Sequence, residues 1–112
     1  MPIPRVEAIV RNTPAYIGNN VTLTCTITVD ATVTSGVLLT TAWFGPSDQL
    51  TNTSHVLTEG MNTQIYHTNI TITRVSASDS GDYTCNATLA SLSSYTIGNL
   101  GTGTVTLSVA GL

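Results

Sequence analysis

Apolar and polar residues alternate along this chain with a period of two, and no stretch carries a helical period. The clearest segment is 21–29, where Val21, Leu23, Cys25, Ile27 and Val29 alternate with Thr22, Thr24, Thr26 and Thr28. Such a pattern is a strand with one buried face. Residues 82–89 behave likewise. Tyr83, Cys85, Ala87 and Leu89 take one side, and Asp82, Thr84, Asn86 and Thr88 the other. Three more segments read as strands: 38–44 with Trp43 inward, 64–73 with Tyr66, Thr68, Ile70 and Ile72 sharing a face, and 104–109 with Val105, Leu107 and Val109 inward. Residues 5–10 lie between Pro2, Pro4 and Pro14 and read as an edge strand, where proline is tolerated. Fainter strands are expected at 49–51 and 54–58. Turn formers separate these segments at 18–20, 45–48, 59–62 and 79–81. Residues 30–37 have no periodicity and read as a loop; 90–101 read as a long loop or an extended hairpin. Short strands divided by turns predict an all-β fold, a two-sheet antiparallel sandwich.

Several positions fall in a fixed order: Cys25, Trp43, Ile70-x-Ile72-x-x-Val75, then Asp79-x-Gly81-x-Tyr83-x-Cys85. This series resembles the immunoglobulin superfamily, whose marks are an inter-sheet disulfide, a core tryptophan and a tyrosine corner. The resemblance runs from about residue 6 to 109. It implies a Cys25–Cys85 bridge with Trp43 packed against it. It also gives Asp79, Gly81 and Tyr83 the corner role, with the Tyr83 hydroxyl bonded to a nearby backbone group. The interval from Trp43 to Tyr83 is short for the extra edge strand of a variable-type domain, so the intermediate type is expected. Variable domains usually pair the corner aspartate with a basic residue, and none lies between Gln49 and Thr63. Gly101-Thr102-Gly103-Thr104 resembles the Gly-x-Gly-Thr bulge of variable domains, with the apolar phase after it shifted by one residue. The threonine-rich, lysine-free style and the Trp43-Phe44-Gly45-Pro46 run are similar to domains of early-branching animals, including sponge receptor tyrosine kinases.

The chain of 112 residues is long enough for one domain with a modest core. Only 8% of it is charged, against about 25% in typical domains. There is no lysine, Arg5, Arg11 and Arg74 are the only strong bases, and the net charge is −3. A basic patch is therefore not available, which argues against nucleic acid and anionic membranes as partners. Threonine, roughly a fifth of the residues, supplies the missing polarity and favours strands. Two cysteines far apart suit one disulfide in an oxidising compartment, and a pair of buried thiols is the intracellular alternative. No signal peptide or transmembrane run is present in the sequence. The expectation is a single domain, core about 6–109, cut from a longer extracellular chain.

Catalytic or cofactor chemistry finds no pattern to rest on. His55 and His67 fall on different segments with no ligand spacing and read as surface histidines. Asp79 and Asp82 read as turn residues rather than calcium ligands, because calcium sites gather several oxygens. No catalytic residue, metal or cofactor is expected. Four glycosylation acceptors are complete: Asn20-Val-Thr, Asn52-Thr-Ser, Asn69-Ile-Thr and Asn86-Ala-Thr. All four fall at outward or turn positions. Flat Thr-x-Thr arrays form the ice-binding face of some antifreeze proteins, but the plainer reading here is a lysine-free solvent face.

The function implied is recognition by an extracellular receptor or adhesion domain, with a protein ligand or a homophilic partner. A structural spacer between neighbouring domains of the same chain and a soluble secreted immune-type binder are the alternatives. The loops 30–37 and 90–101 emerge at one end of an immunoglobulin sandwich and offer Val33, Val37, Leu92, Tyr95 and Ile97. Phe44 is expected on the outer face of the other candidate surface, the sheet of 38–44, 82–89 and 104–109. A sugar on Asn86 would obstruct pairing through that sheet.

Overall fold

A computed structural model describes residues 4–11, 15–30, 37–57, 63–91 and 96–111. The strands are β1 (Arg5–Val10), β2 (Ala15–Tyr16), β3 (Val21–Asp30), β4 (Val37–Phe44), β5 (Gln49–Leu57), β6 (Thr63–Ile72), β7 (Gly81–Ser91), β8 (Thr96–Leu107) and β9 (Val109–Ala110). A 3-10 turn, Ala77–Asp79, links β6 to β7. One sheet has the order β1-β3-β6 and the other β5-β4-β7-β8, all antiparallel. β2 and β9 form a small parallel pair.

Alternation decides what is buried. Val21, Leu23, Cys25, Ile27 and Val29 of β3 and Ile70 of β6 face Leu39, Trp43, Tyr83, Cys85, Ala87, Leu89 and Leu107 of the four-stranded sheet across one core. Their β3 neighbours Thr22, Thr26 and Thr28 stay partly accessible. The threonine hydroxyls pair across strands, Thr22 with Thr71 at 3.3 Å and Thr84 with Thr104 at 3.1 Å. Such cross-strand pairs stabilise a sheet face that has few charges.

The edges of the two sheets meet where β1 crosses β8. Gly101 is buried there, and a Cβ on it would strike the carbonyl oxygen of Pro4. A Cβ on Gly103 would lie 2.8 Å from the carbonyl oxygen of Val6. The two backbones can approach this closely only because neither residue has a side chain. The Gly-x-Gly run thus serves a seam with β1.

Two expectations change. Residues 54–57 do not form a strand on the three-stranded sheet. They continue β5, which pairs with β4 from Phe44↔Gln49 to Val37↔Leu57. Cross-strand hydroxyl bonds hold this register, Thr41 to Thr53 at 2.7 Å and Thr40 to Ser54 at 3.4 Å. The separate strand expected at 54–58 for the intermediate type is therefore absent among the described residues. Val37 and Ile97 are not loop residues: Val37 opens β4 and Ile97 lies in β8, paired with Ala90. Backbone pairing extends β7 and β8 into a long hairpin, with a register irregularity between Thr88 and Ala90.

Candidate functional site

The corner before β7 fixes the register of everything after it. The Tyr83 hydroxyl donates to the Asp79 carbonyl oxygen at 2.7 Å. Burial, and secondarily the Asp79 charge, hold its phenol pKa above the ordinary tyrosine value. The Asp79 carboxylate accepts the Ser76 backbone N–H at 2.7 Å, taking the place of the basic partner that variable domains use. Gly81 sits at φ +143°, and a Cβ there would come within 2.8 Å of Pro46. Two residues past Tyr83, Cys85 is bonded to Cys25, joining β7 to β3 across the sheets. Trp43 is the cross-strand neighbour of Cys85 and is fully buried. Its indole N–H has no hydrogen-bond acceptor among the described residues.

At the opposite end of the sandwich the strand registers gather three chain connections. Asp30 pairs with Thr63, Val37 pairs with both Leu57 and Ser91, and Ser91 pairs with Thr96. The connections 31–36, 58–62 and 92–95 therefore leave from adjacent strand ends. Val33, Leu92 and Tyr95 lie in them, outside the described residues. Val37 and Ile97 stand at their base. Phe44 is not part of this group. It is half-buried on the outer face of the four-stranded sheet, seven residues along β4 from Val37, or about 24 Å.

That outer face carries Leu38, Thr40, Ala42 and Phe44 from β4, alternate residues 82–90 from β7, and Leu100, Thr102 and Thr104 from β8. Among its described residues Asp82 is the only charged group. Ala42 pairs with Asn52 on one side and Asn86 on the other, so two glycosylation acceptors flank it. Asn69 stands on the other sheet opposite Thr24, and the Asn20 side-chain oxygen accepts the Arg74 N–H at 3.1 Å. That bond holds the left-handed turn at Arg74, φ +49°.

A groove of about 530 Å³ lies between β5 and β6, lined by Leu50, Thr51, Asn69, Ile70 and Ile72 among others. It follows from β5 staying with β4, which the weak periodicity of 49–57 did not reveal. Among its described lining residues the one ionisable group, Asp79, is already engaged at the corner. His67 is exposed and bonded through Nδ1 to the Thr26 hydroxyl at 3.2 Å. No cluster of metal-binding side chains occurs among the described residues. No helix among them is long and apolar enough to cross a membrane.

The family model described as immunoglobulin domain matches residues 11–96. No curated protein matches the chain.

Proposed function

The chain belongs to the immunoglobulin domain family, and from that premise we propose that it is a non-catalytic recognition domain of an extracellular receptor or adhesion molecule. The partner is a protein, either a ligand or a second copy. One observation carries this reading: the strand registers bring the connections 31–36, 58–62 and 92–95 to one end. Their sequences hold a single charge, Glu59, together with Val33, Met61, Leu92 and Tyr95. Depletion of charge with tyrosine and methionine present is the composition of an interface centre. The Cys25–Cys85 bridge suits an oxidising, extracellular setting. Phe44, about 24 Å away, is left out of this surface.

The test is a pair of measurements on Tyr95→Ala and Ile97→Ser. The melting temperature should stay nearly constant for Tyr95→Ala. Cell-surface binding of a tetramerised domain should fall at least about tenfold for each, roughly 1.4 kcal/mol. Loss of stability with unchanged binding would refute the assignment.

A spacer role has one observation in its favour. β1 starts beside Thr28, near the end with the three connections, while β9 lies at the other end beside β2. A chain that enters and leaves at opposite ends of a body 52 Å long suits a serial array of neighbouring domains. Under that reading neither variant alters binding.

A further inference from the structure

We propose that the outer face of the four-stranded sheet is closed by two N-linked glycans, on Asn52 and Asn86, which together cover Phe44. The inference rests on the extracellular reading above. It starts from the pairing of Ala42 with Asn52 of β5 and Asn86 of β7. Strands spaced about 4.8 Å apart put the two asparagines roughly 10 Å from each other on one face. Only the methyl group of Ala42 stands between them, which leaves room for the first sugar of each chain. Asn52 is exposed and Asn86 half-buried. The Thr102 hydroxyl donates to Asn86 Oδ1 at 3.1 Å, so the oxygen is engaged and Nδ2 is left for the linkage.

Phe44 lies two residues from Ala42 on the same side of β4, about 7 Å away. Sugars on both asparagines would overhang it from two strands. The surrounding Thr84, Thr88, Thr102 and Thr104 are partly or fully exposed and offer hydroxyls rather than charges to the carbohydrate. Without sugar the same face would be a sheet with one charge among its described residues, Asp82, and with Leu38, Phe44 and Leu100 accessible, free to pair with another copy. The glycan pair removes that face from use and leaves the end with the three connections, about 17 Å along β4 from Ala42, open.

The modification is a glycosyl transfer from a lipid-linked diphosphate oligosaccharide. The Nδ2 electron pair forms a bond to the anomeric carbon. The bond from that carbon to the diphosphate oxygen breaks, its electron pair leaving with the lipid diphosphate, and the amide gives up one proton to a base.

The chain secreted from eukaryotic cells behind a cleavable leader provides the test. Ser54→Ala and Thr88→Ala, singly and together, remove the two acceptors while keeping both asparagines and the Thr102 bond. N52Q and N86Q are made in parallel as a second pair. Glycopeptide mass spectrometry should find Asn52 and Asn86 occupied on the same molecules. Hydroxyl-radical footprinting should find Phe44, the sole phenylalanine, at least about threefold less reactive in the wild type than in either double variant. Exposed Tyr16 should react equally in all of them. An empty site, occupancy of one site only at a time, or equal Phe44 reactivity would overturn the proposal. Sugar on Asn20 or Asn69 with none on Asn52 and Asn86 would remove the covered face and leave the extracellular reading standing. A chain that is retained in the cell with Cys25 and Cys85 unpaired would overturn that reading itself.

Discussion

Replacing Gly101 by alanine should separate the two strands that close one edge of the sandwich. The added methyl would collide with the Pro4 carbonyl oxygen and come within 3.1 Å of the Val6 side chain. A backbone oxygen cannot rotate aside, so β1 itself must back away from β8. At Gly103 the conflict is milder, with the Val6 oxygen at 2.8 Å, roughly 0.6 Å inside ordinary contact. Overpacking of this kind costs about 1–3 kcal/mol. Alanine recovers about 0.5–1 kcal/mol because glycine loses more backbone entropy on folding. The net expectation is a loss of about 2 kcal/mol for Gly101→Ala and about 1 kcal/mol for Gly103→Ala. In a domain of this size that lowers the melting temperature by about 8 and 4 °C. Gly111→Ala is the control, because none of the described residues lies within 4 Å of its added Cβ. Differential scanning calorimetry gives the stabilities, and hydrogen exchange locates the change, with the amides of β1 losing protection first. If both variants melt with the wild type, or if exchange rises evenly over the domain, the seam does not exist as described.

Trp43→Ala should destabilise by about 3–5 kcal/mol, as a large truncation beside the disulfide, and denaturant titration reads this directly. Non-reducing mass spectrometry of native protein should find no free thiol; two free thiols would contradict the bridge. The raised Tyr83 pKa gives an alkaline limit. The unfolded chain loses the phenolic proton near pH 10 while the folded one still holds it, so stability falls as pH rises above about 10. Tyr83→Phe should flatten that slope in melting curves between pH 9 and 11, and lower stability at neutral pH by about 1 kcal/mol through the lost bond to Asp79. Material from bacteria, which carries no sugar, should self-associate through the Phe44 face more than glycosylated material in analytical ultracentrifugation. Equal association would contradict the role given to Asn86.

The alternation in 21–29 and 82–89 made those two strands readable because each has one wholly buried face. Cys25, Trp43, Tyr83 and Cys85 stood in a phase that matched it. β5 was harder to read. It is an edge strand, and Asn52, Thr53 and Ser54 are exposed in succession, so burial imprints no period on it. The start of β8 was obscured by Gly98, Asn99 and Gly101, which read as loop formers while pairing with β7 overrides them. The reason for Gly101 and Gly103 lies in β1, far away in sequence, and no local pattern could contain it. The pairing of Asn52 and Asn86 around Ala42 likewise depends on two strand registers. Each sequon was visible by itself, but their adjacency was not.

The disulfide has a mechanical consequence. Cys25 and Cys85 are 60 residues apart in sequence, and the bond shorts out everything between them. A taut chain gains about 3.4 Å per residue, so roughly 200 Å of extension is withheld from any force applied at the two ends. Only the segments outside the bridge can pay out, and both are tied back by the short parallel pair of Ala15–Tyr16 with Val109–Ala110. Pulling the ends in opposite directions loads that pair in shear, so its backbone bonds must yield together rather than one at a time. Past that point the domain would lengthen by at most roughly 170 Å, from the segments outside the bridge, and then stop, with most of its core still enclosed by the bridge.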